Sequence, residues 1–342
     1  MPSHLPNRLF ELDILLCPAC LCGNLRLQEN HLSCEACDRA YTIDDGIPLL
    51  LRDPDAMTRL DHDSYDAQHE ISDDNVDAIQ RMWQTVFSEH AIRAGDVLEI
   101  GCGTGQLTRA LPGIPGVKHV HATDISPAFL ALTRQQLQSF SGKIFYYACD
   151  ANHLPFQPSS FDLVVGHSVL HHLLDYSQVV EQAYGLLRPG GVAVFFEPVL
   201  QGKVMIAFLA DLMLRIHEKT GYGNLDESDC DKIRTMIRHI TKHKEFGDDR
   251  EKLSTMEDKY IFDRHEFREM ALKRGFIAAE YRNNPLHDEF RNFNVSQHLR
   301  MAGIAEAKII EFRFLLRAAK KMLADLLPHD LITPMGFFIL KK

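Results

Sequence analysis

The stretch VLEIGCGTG, residues 97–105, joins an apolar strand directly to a loop that contains three glycines. Glycine adopts backbone conformations that other residues avoid, and it lets the chain lie close to a ligand. A helical pattern follows over residues 106–111, so the first amide groups of that helix should point toward the loop. This order of strand, loop and helix predicts the ligand-binding edge of an open, parallel α/β sheet.

The spacing of the glycines separates this loop from a dinucleotide-binding loop. In a G-x-G-x-x-G pattern the third glycine would fall on Gln106 when counted from Gly101, and on Thr108 when counted from Gly103. Neither position holds glycine, and no lysine of the phosphate-binding type follows the loop. We therefore do not expect the loop to cradle a pyrophosphate.

The same stretch resembles the first motif of the class I S-adenosylmethionine methyltransferases, E-x-G-x-G-x-G, with Glu99 as its acidic member. That cofactor carries a cationic amino group and a sulfonium, so an acid beside the loop is electrostatically favourable. Further motifs follow in the order of the family up to Pro198. Asp124 ends a second strand, Ser126-Pro127 begins a helix in the manner of an N-cap and first position, and Asp150 follows a third strand.

The resemblance implies a role for each of these residues. Asp124 would accept hydrogen bonds from the ribose hydroxyls, as acids do in other Rossmann-type sites. Asp150 would bind the adenine amino group, and the backbone amide of Ala151 would contact the ring. The cofactor-binding residues implied in this way are Glu99, Gly101, Cys102, Gly103, Gly105, Asp124, Ile125, Asp150, Ala151 and His167.

The resemblance also implies the fold and the division of the chain. We expect an α/β, Rossmann-like methyltransferase domain over residues 95–342, with a seven-stranded sheet in the order 3-2-1-4-5-7-6 and an antiparallel seventh strand. Its sixth and seventh strands are predicted at residues 276–281 and 336–340. Before this domain we predict a zinc ribbon at residues 1–52 and an acidic linker with a helical cap at residues 53–94.

Two C-x-x-C pairs mark the predicted ribbon. Cys17 and Cys20 form the first pair, and Cys34 and Cys37 form the second, with residues 21–33 between them. Four thiolates in this pattern suit a structural, tetrahedral zinc site, and a thioredoxin-like alternative lacks its βαβ context. Cys22 is either a spare thiol or an alternative ligand. Residues 25–27 and 31–33 should pair as a hairpin, and the whole segment resembles the small zinc-ribbon proteins that bind and activate methyltransferases.

Two long segments, at about 200–260 and 282–333, do not belong to the minimal sheet of this fold. Both are expected to leave the sheet at its carboxyl edge, so we predict a helical lid over the acceptor pocket. The first segment begins with a helix that is apolar nearly all round, and the second mixes apolar and basic residues. Such helices are buried in protein or face an apolar phase. The alternatives are packing of the helices on each other and peripheral contact with a membrane.

Candidate acceptor-facing residues follow the fourth and fifth strands. The fourth strand ends in Gly166-His167-Ser168, and its continuation resembles the S-x-L-H-H stretch of small-molecule methyltransferases. His167 and His171 are four residues apart, so on a helix they would share one face. His167 is the first candidate for a catalytic base or an acceptor-orienting residue, followed by Glu197 and His171. The alternative is that the histidines only pack or cap the next helix.

Composition and charge limit the partners. The formal net charge is −10, and residues 52–90 hold ten carboxylates against three arginines. DNA and large RNA substrates are therefore disfavoured, because proteins that grip a phosphate backbone usually carry a basic patch. No apolar run reaches transmembrane length, and no N-terminal segment resembles a signal peptide. Cytoplasmic location is the default expectation.

These observations together predict an S-adenosylmethionine-dependent methyltransferase that carries a structural zinc ion and acts on a small, apolar molecule. An RNA base methyltransferase is the first alternative, because some ribosomal RNA enzymes carry a zinc ribbon before this fold. A flipped base would need stacking aromatic residues and a basic approach surface. The second alternative is a non-catalytic partner protein that binds the cofactor without transferring its methyl group.

Overall fold

The computed structural model describes residues 10–52, 73–140, 142–241, 249–285, 295–327 and 333–342. Most of the predicted acidic linker therefore lies outside the described residues. The chain divides into two compact units, the first formed by residues 1–195, 269–280 and 338–342, and the second by residues 196–268 and 281–337. The predicted domain boundaries stay predictions.

The first unit begins with a small antiparallel meander that contains the four paired cysteines. A hairpin joins β1 (Leu25–Gln28) to β2 (His31–Cys34), as the sequence predicted. Strands β3 (Ala40–Asp44) and β4 (Ile47–Leu50) complete the meander. Strand β4 then pairs in parallel with β7 (Ile144–Cys149). The meander is thus hydrogen-bonded directly to the edge of the parallel strands.

The parallel strands of the first unit are buried on both faces, which explains their nearly continuous apolar sequences. The sheet contains eleven strands instead of the predicted seven, because the four strands of the meander extend it beyond β7. Its order is β1-β2-β3-β4-β7-β6-β5-β8-β9-β11-β10. The remaining strands are β5 (Gly95–Ile100), β6 (Val117–Asp124), β8 (Phe161–His167), β9 (Leu187–Pro198), β10 (Ala278–Asn283) and β11 (Met335–Lys341).

The helices between these strands begin in different ways. Ser126 caps the helix after β6 as predicted, since its Oγ accepts a hydrogen bond from the Phe129 N–H at 3.2 Å, with Pro127 in the first turn. The helix after β5 is shorter than predicted and gives way to a 3₁₀ turn that contains Pro112. The helices up to β9 are α1 (Asp73–Glu89), α2 (Gln106–Ala110), α3 (Pro127–Gln136) and α4 (Tyr176–Leu186).

The second unit is mainly helical and has its own hydrophobic core. Buried side chains from both predicted lid segments share this core, among them Ile206 and Met213 of the first segment and Leu299 and Phe312 of the second. The alternative that the helices pack on each other is therefore confirmed. The helices that follow β9 in the described residues are α5 (Leu200–Thr220), α6 (Glu227–Thr241), α7 (Arg250–Ser254), α8 (Arg264–Lys273), α9 (Val295–Met301), α10 (Glu306–Glu311) and α11 (Arg313–Leu326).

Some apolar side chains of the second unit stay on its surface. On α11, Phe314, Met322 and Leu326 are 81%, 62% and 74% exposed, and the exposed Arg317 and Lys321 lie on the same helix. Among the described residues, no helix has the length and apolar character needed to cross a bilayer. Peripheral membrane contact and the lid role of these helices stay predictions.

Two glycines in the turn after α5 allow a direct test of packing in this second core. Both have positive φ, +69° at Gly221 and +96° at Gly223. A Cβ at Gly221 would meet nothing within 4 Å, whereas a Cβ at Gly223 would lie 2.0 Å from the buried ring of Phe312. We expect Gly221→Ala to lower the free energy of unfolding by about 1 kcal/mol because of its left-handed backbone. Gly223→Ala should lower the free energy of unfolding by about 1–3 kcal/mol more than Gly221→Ala does, because the ring of Phe312 has to move.

Urea unfolding followed by circular dichroism measures both values. The matched substitution Gly221→Ala is the control for backbone strain. Equal losses in the two variants would contradict the packing that the structure gives Phe312.

Candidate active site and metal centre

The predicted cofactor residues lie at the carboxyl ends of four neighbouring parallel strands. Ile100 of β5 is in register with Thr123 of β6 and with Gly166 of β8. Asp124 of β6 is in register with Ala148 of β7. The residues that follow these pairs include the glycine loop, Asp150 and His167, so they share one edge of the sheet. This edge is where open α/β sheets bind ligands.

The glycine loop turns sharply at the end of β5. Gly101, Gly103 and Gly105 have φ values of 65°, 52° and 84°, conformations that residues with a Cβ rarely adopt. A Cβ at Gly101 would lie 2.4 Å from Val169 Cγ2, and one at Gly105 would lie 2.6 Å from Thr133 Cγ2. The loop therefore packs closely between α3 and the turn after β8.

Asp124 holds this loop in place. One carboxylate oxygen, Oδ2, accepts a hydrogen bond from the Gly103 N–H at 2.8 Å. The other, Oδ1, accepts one from the Ser126 N–H at 2.9 Å. Each oxygen of a carboxylate can accept more than one hydrogen bond, so the predicted contact with ribose hydroxyls is compatible with this geometry. Ile125, between these contacts, is half-buried.

Asp150 also accepts local hydrogen bonds at the end of β7. Its Oδ1 accepts hydrogen bonds from the backbone N–H of Asn152 at 2.8 Å and from the side-chain amide of Asn152 at 2.9 Å. It thereby caps the 3₁₀ turn Ala151–His153. Asp150 and Ala151 are both half-buried. Their predicted contacts with the adenine stay predictions.

Glu99 was expected to be a charged group beside the loop, but its surroundings favour the uncharged form. It is only 1% exposed, and its Oε2 accepts a hydrogen bond from the Thr108 hydroxyl at 2.7 Å. Burial raises the pKa of Glu99 to about 8, and the negative charge of Asp124 adds to this, while the Thr108 hydrogen bond opposes it. The carboxyl is thus protonated at neutral pH until a cation lies near it. Cys102, the neighbouring loop residue, is buried.

Two of the three candidate catalytic residues, His167 and Glu197, lie near strand ends, and His171 lies in a 3₁₀ turn. Strand β8 continues to His167, and Ser168 follows with a φ of 57° before the 3₁₀ turn Leu170–His172. No helix joins His167 to His171, so the expectation of a shared helical face was wrong. His171 is buried, with its ring centroid 3.9 Å from that of His172. Glu197 is fully buried near the end of β9 and belongs to the second unit.

Two partners of the site residues were missed at the sequence level. The indole Nε1–H of Trp83 donates to His167 Nδ1 at 3.4 Å, although 84 positions separate the two residues. Thr108, the partner of Glu99, lies on α2. Neither contact follows from a motif, because each depends on how a helix packs against the sheet.

The four paired cysteines converge within the meander. All four sulfurs lie within 4.8 Å of one another, with 3.7 Å between Cys17 and Cys37 and 3.6 Å between Cys20 and Cys34. Four sulfurs about 2.3 Å from a zinc ion at the centre of a tetrahedron would lie about 3.8 Å apart. The donor set and its spacing therefore fit a tetrahedral thiolate site. Cys22 is exposed and is not part of this group.

Comparison with known proteins identifies the central part of the chain. Residues 98–195 match the family described as "Methyltransferase domain". The ubiquinone/menaquinone biosynthesis C-methyltransferase UbiE of Marinomonas sp. (strain MWYL1) is 27% identical over 261 residues, which cover 70% of this chain and 98% of the relative. The compactin nonaketide synthase, polyketide synthase component, of Penicillium citrinum is 33% identical over 129 residues, 36% of this chain. The chain spans only 4% of the length of that synthase.

A similar solved structure is phosphoethanolamine N-methyltransferase 2 of Haemonchus contortus in complex with S-adenosyl-L-methionine. It is 19% identical, with a TM-score of 0.45, and the match covers 83% of this chain and 60% of that one. The family match and the C-methyltransferase relatives support a class I S-adenosylmethionine-dependent methyltransferase domain with a Rossmann-like α/β fold in this chain.

The raised pKa of Glu99 makes stability depend on pH in a defined direction. Between its ordinary value of 4.5 and about 8, the unfolded chain has released this proton while the folded chain keeps it. The free energy of unfolding therefore falls as pH rises through this window and stops falling from this cause above about 8. Glu99→Gln removes the titration, and its amide oxygen can still accept the Thr108 hydrogen bond.

We expect the Glu99→Gln variant to gain thermal stability relative to the parent as pH rises from 5 to 8. Thermal unfolding without cofactor, measured at several pH values, gives the difference in Tm. Thr108→Val in the Gln background tests whether the hydrogen bond is retained. A Tm difference that is independent of pH would contradict the protonated state of Glu99.

Proposed function

We propose that this chain is an S-adenosylmethionine-dependent methyltransferase that transfers a methyl group to a small, apolar molecule. The observation that carries the proposal is the loop held by Asp124 at the carboxyl edge of β5 and β6, inside the matched methyltransferase domain. The relative that this chain matches over 98% of its length is named for C-methylation in quinone biosynthesis. This supports a carbon atom as the acceptor.

Different residues of the chain would bind the cofactor and orient the acceptor. When bound, S-adenosylmethionine supplies a methyl group on a sulfonium, which leaves as a neutral thioether. Asp124 would hold the ribose while it keeps the glycine loop closed, and Asp150 with Ala151 would hold the adenine. Glu99 would lose its proton when a cationic amino group comes near, because an opposite charge favours the ionised carboxylate. Holding the acceptor in line with the methyl group lowers the barrier by several kcal/mol.

The acceptor side of the site is proposed to begin at His167. Its position at the end of β8, next to the packed contact between Val169 and Gly101, supports this assignment. As the new carbon–carbon bond forms, the bond between methyl and sulfur breaks, and the acceptor carbon then releases its proton to a base or to water. His171 and Glu197 stay second candidates for contact with the acceptor.

The four converging cysteines are proposed to bind a structural zinc ion. Their donor set supports zinc, since four thiolates form a closed site that leaves no position for a substrate. Tyr41 supports the site from outside, with its hydroxyl 3.1 Å from Cys17 Sγ. In this proposal the metal stabilises the meander and, through β4, the edge of the sheet at β7.

The function is tested with a metabolite extract and S-adenosylmethionine that carries an isotopically labelled methyl group. We expect mass spectrometry to find the label in a small apolar metabolite. Asp124→Ala should weaken cofactor binding in calorimetry by about 10–100-fold, since it removes charged hydrogen bonds of about 1.5–3 kcal/mol. Asp124→Asn, which keeps one acceptor oxygen, serves as the milder variant, and circular dichroism reports whether each variant folds.

Other outcomes of this experiment would overturn the proposal. Label found in RNA and absent from metabolites would establish the RNA base methyltransferase. Calorimetry that shows no binding of S-adenosylmethionine to the parent protein would favour the non-catalytic partner.

The metal proposal has a matched pair of cysteine variants. We expect the purified parent to contain about one zinc ion per chain, measured by elemental analysis. Cys34→Ser should lose most of this zinc and unfold at a lower temperature, because it removes one of four ligands. Cys22→Ser should keep the metal and the stability, since Cys22 lies outside the group. Equal zinc contents in the two variants would contradict the assignment of the ligands.

A further inference from the structure

Trp83 lies next to His167, which is the first candidate for contact with the acceptor. It is the only tryptophan of the chain, it is fully buried on α1, and its ring packs edge-on against Phe87 at 5.8 Å. Its indole ring lies 6.1 Å from the imidazole of His167, centroid to centroid, and its Nε1 lies 3.4 Å from His167 Nδ1. A rigid aromatic side chain thus presents its one polar atom to this histidine.

The chemistry of the two rings allows only one assignment of protons in this contact. The indole nitrogen is a donor and never an acceptor. His167 Nδ1 therefore accepts the hydrogen bond and carries no proton itself. A neutral imidazole holds one proton, so that proton is on Nε2. A doubly protonated ring would place two hydrogens between Nδ1 and Nε1 and would break the contact.

We propose that Trp83 is a positioning residue that holds His167 as the neutral tautomer with its proton on Nε2. His167 then meets the acceptor as a hydrogen-bond donor and not as a general base. The second half of this proposal rests on the proposed function, because it assumes that His167 contacts the acceptor. The first half concerns Trp83 and His167 alone.

A donor at this position also narrows the chemical class of the acceptor. A hydrogen bond from Nε2–H stabilises negative charge on an oxygen, and bonds to charged groups are about twice as strong as neutral ones. A carbon becomes nucleophilic when it is conjugated to such an oxygen, as in a phenolate or an enolate. The acceptor is therefore an apolar molecule with a hydroxyl or keto oxygen on the carbon next to the one that is methylated. Its carbon-bound proton leaves to water or to a group other than His167.

Nuclear magnetic resonance of ¹⁵N-labelled histidine reads the tautomer without any catalysis. The His167 signals are those that disappear in His167→Gln. We expect the parent to show the proton on Nε2 and Trp83→Phe to show a mixture of tautomers, because phenylalanine keeps the aromatic packing but lacks the N–H. Phe87→Leu is the matched control on the same helix, and it should keep the Nε2 tautomer. A parent with its proton on Nδ1, or a Trp83→Phe variant with an unchanged tautomer, would overturn the proposal.

Kinetic measurements test the role of the His167 Nε2–H donor. They use the acceptor that the labelled cofactor identifies. Trp83→Phe should lower kcat about fivefold with little change in KM, the loss expected when one oriented hydrogen bond of about 1 kcal/mol is removed. His167→Gln retains an N–H donor but has no basic nitrogen. If His167 donates, Gln should keep far more activity than Ala. If His167 is a base, both variants should lose about 100–10,000-fold, and the donor role would be wrong.

The resonance experiment gives the same result whether or not the proposed function is correct. A protein that binds no S-adenosylmethionine would still show the Nε2 tautomer and its change in Trp83→Phe. The resonance experiment therefore tests the role of Trp83 separately from the methyltransferase assignment.

Discussion

The carboxylate of Asp124 is the contact on which the geometry of the site depends. It joins two backbone amides that are far apart in sequence, Gly103 in the glycine loop and Ser126 at the start of α3. Inside the loop the Gly105 N–H donates to the Cys102 oxygen at 2.9 Å, whereas the Gly103 N–H has its acceptor outside the loop, on Asp124. A single buried acid thus satisfies one donor of the loop and one donor at the start of α3. In the proposed function, ligand binding and loop structure would both depend on Asp124.

The meander depends on the sheet in a comparable way. An open parallel sheet has an exposed edge strand, and such edges need cover. Here β4 pairs with the edge strand β7, and Arg134 of α3 is hydrogen-bonded to the backbone oxygen and the carboxylate of Asp45 in the turn before β4. Residues before the first cysteine also dock on the strands, since the Glu11 N–H donates to the Tyr147 hydroxyl at 2.9 Å. The cysteine group thus belongs to a segment that covers the β7 edge of the parallel strands.

Much of the first unit could be predicted because its pattern is local. Strands with continuous apolar residues, the Ser126 cap and the turn glycines each follow from a few neighbouring residues. The expectation of a helical face shared by His167 and His171 failed because β8 continues to His167 and Ser168 then has a left-handed backbone. Val169, which follows, packs against Gly101 and Gly166. The extension of the sheet to eleven strands also escaped prediction, since pairing between β4 and β7 joins segments about a hundred residues apart. The contacts of Trp83 and Thr108 were missed because each depends on how a helix packs against the sheet.

The sequence motif also gave no guide to the charge on Glu99, which depends on burial. Asp124 lies at the end of β6 and accepts hydrogen bonds from two backbone amides, whereas Glu99 is enclosed behind the loop and is hydrogen-bonded to the hydroxyl and the backbone of Thr108. Burial and the nearby charge of Asp124 together raise the pKa of Glu99 to about 8. Neighbouring carboxyl groups in different surroundings divide acid and base roles between them. A cationic ligand would reverse this state, since it favours the ionised form of Glu99 that burial opposes. In the proposed function, the buried acid would thus couple binding of a cation to proton release, and this coupling depends on the burial of Glu99 in the packed structure.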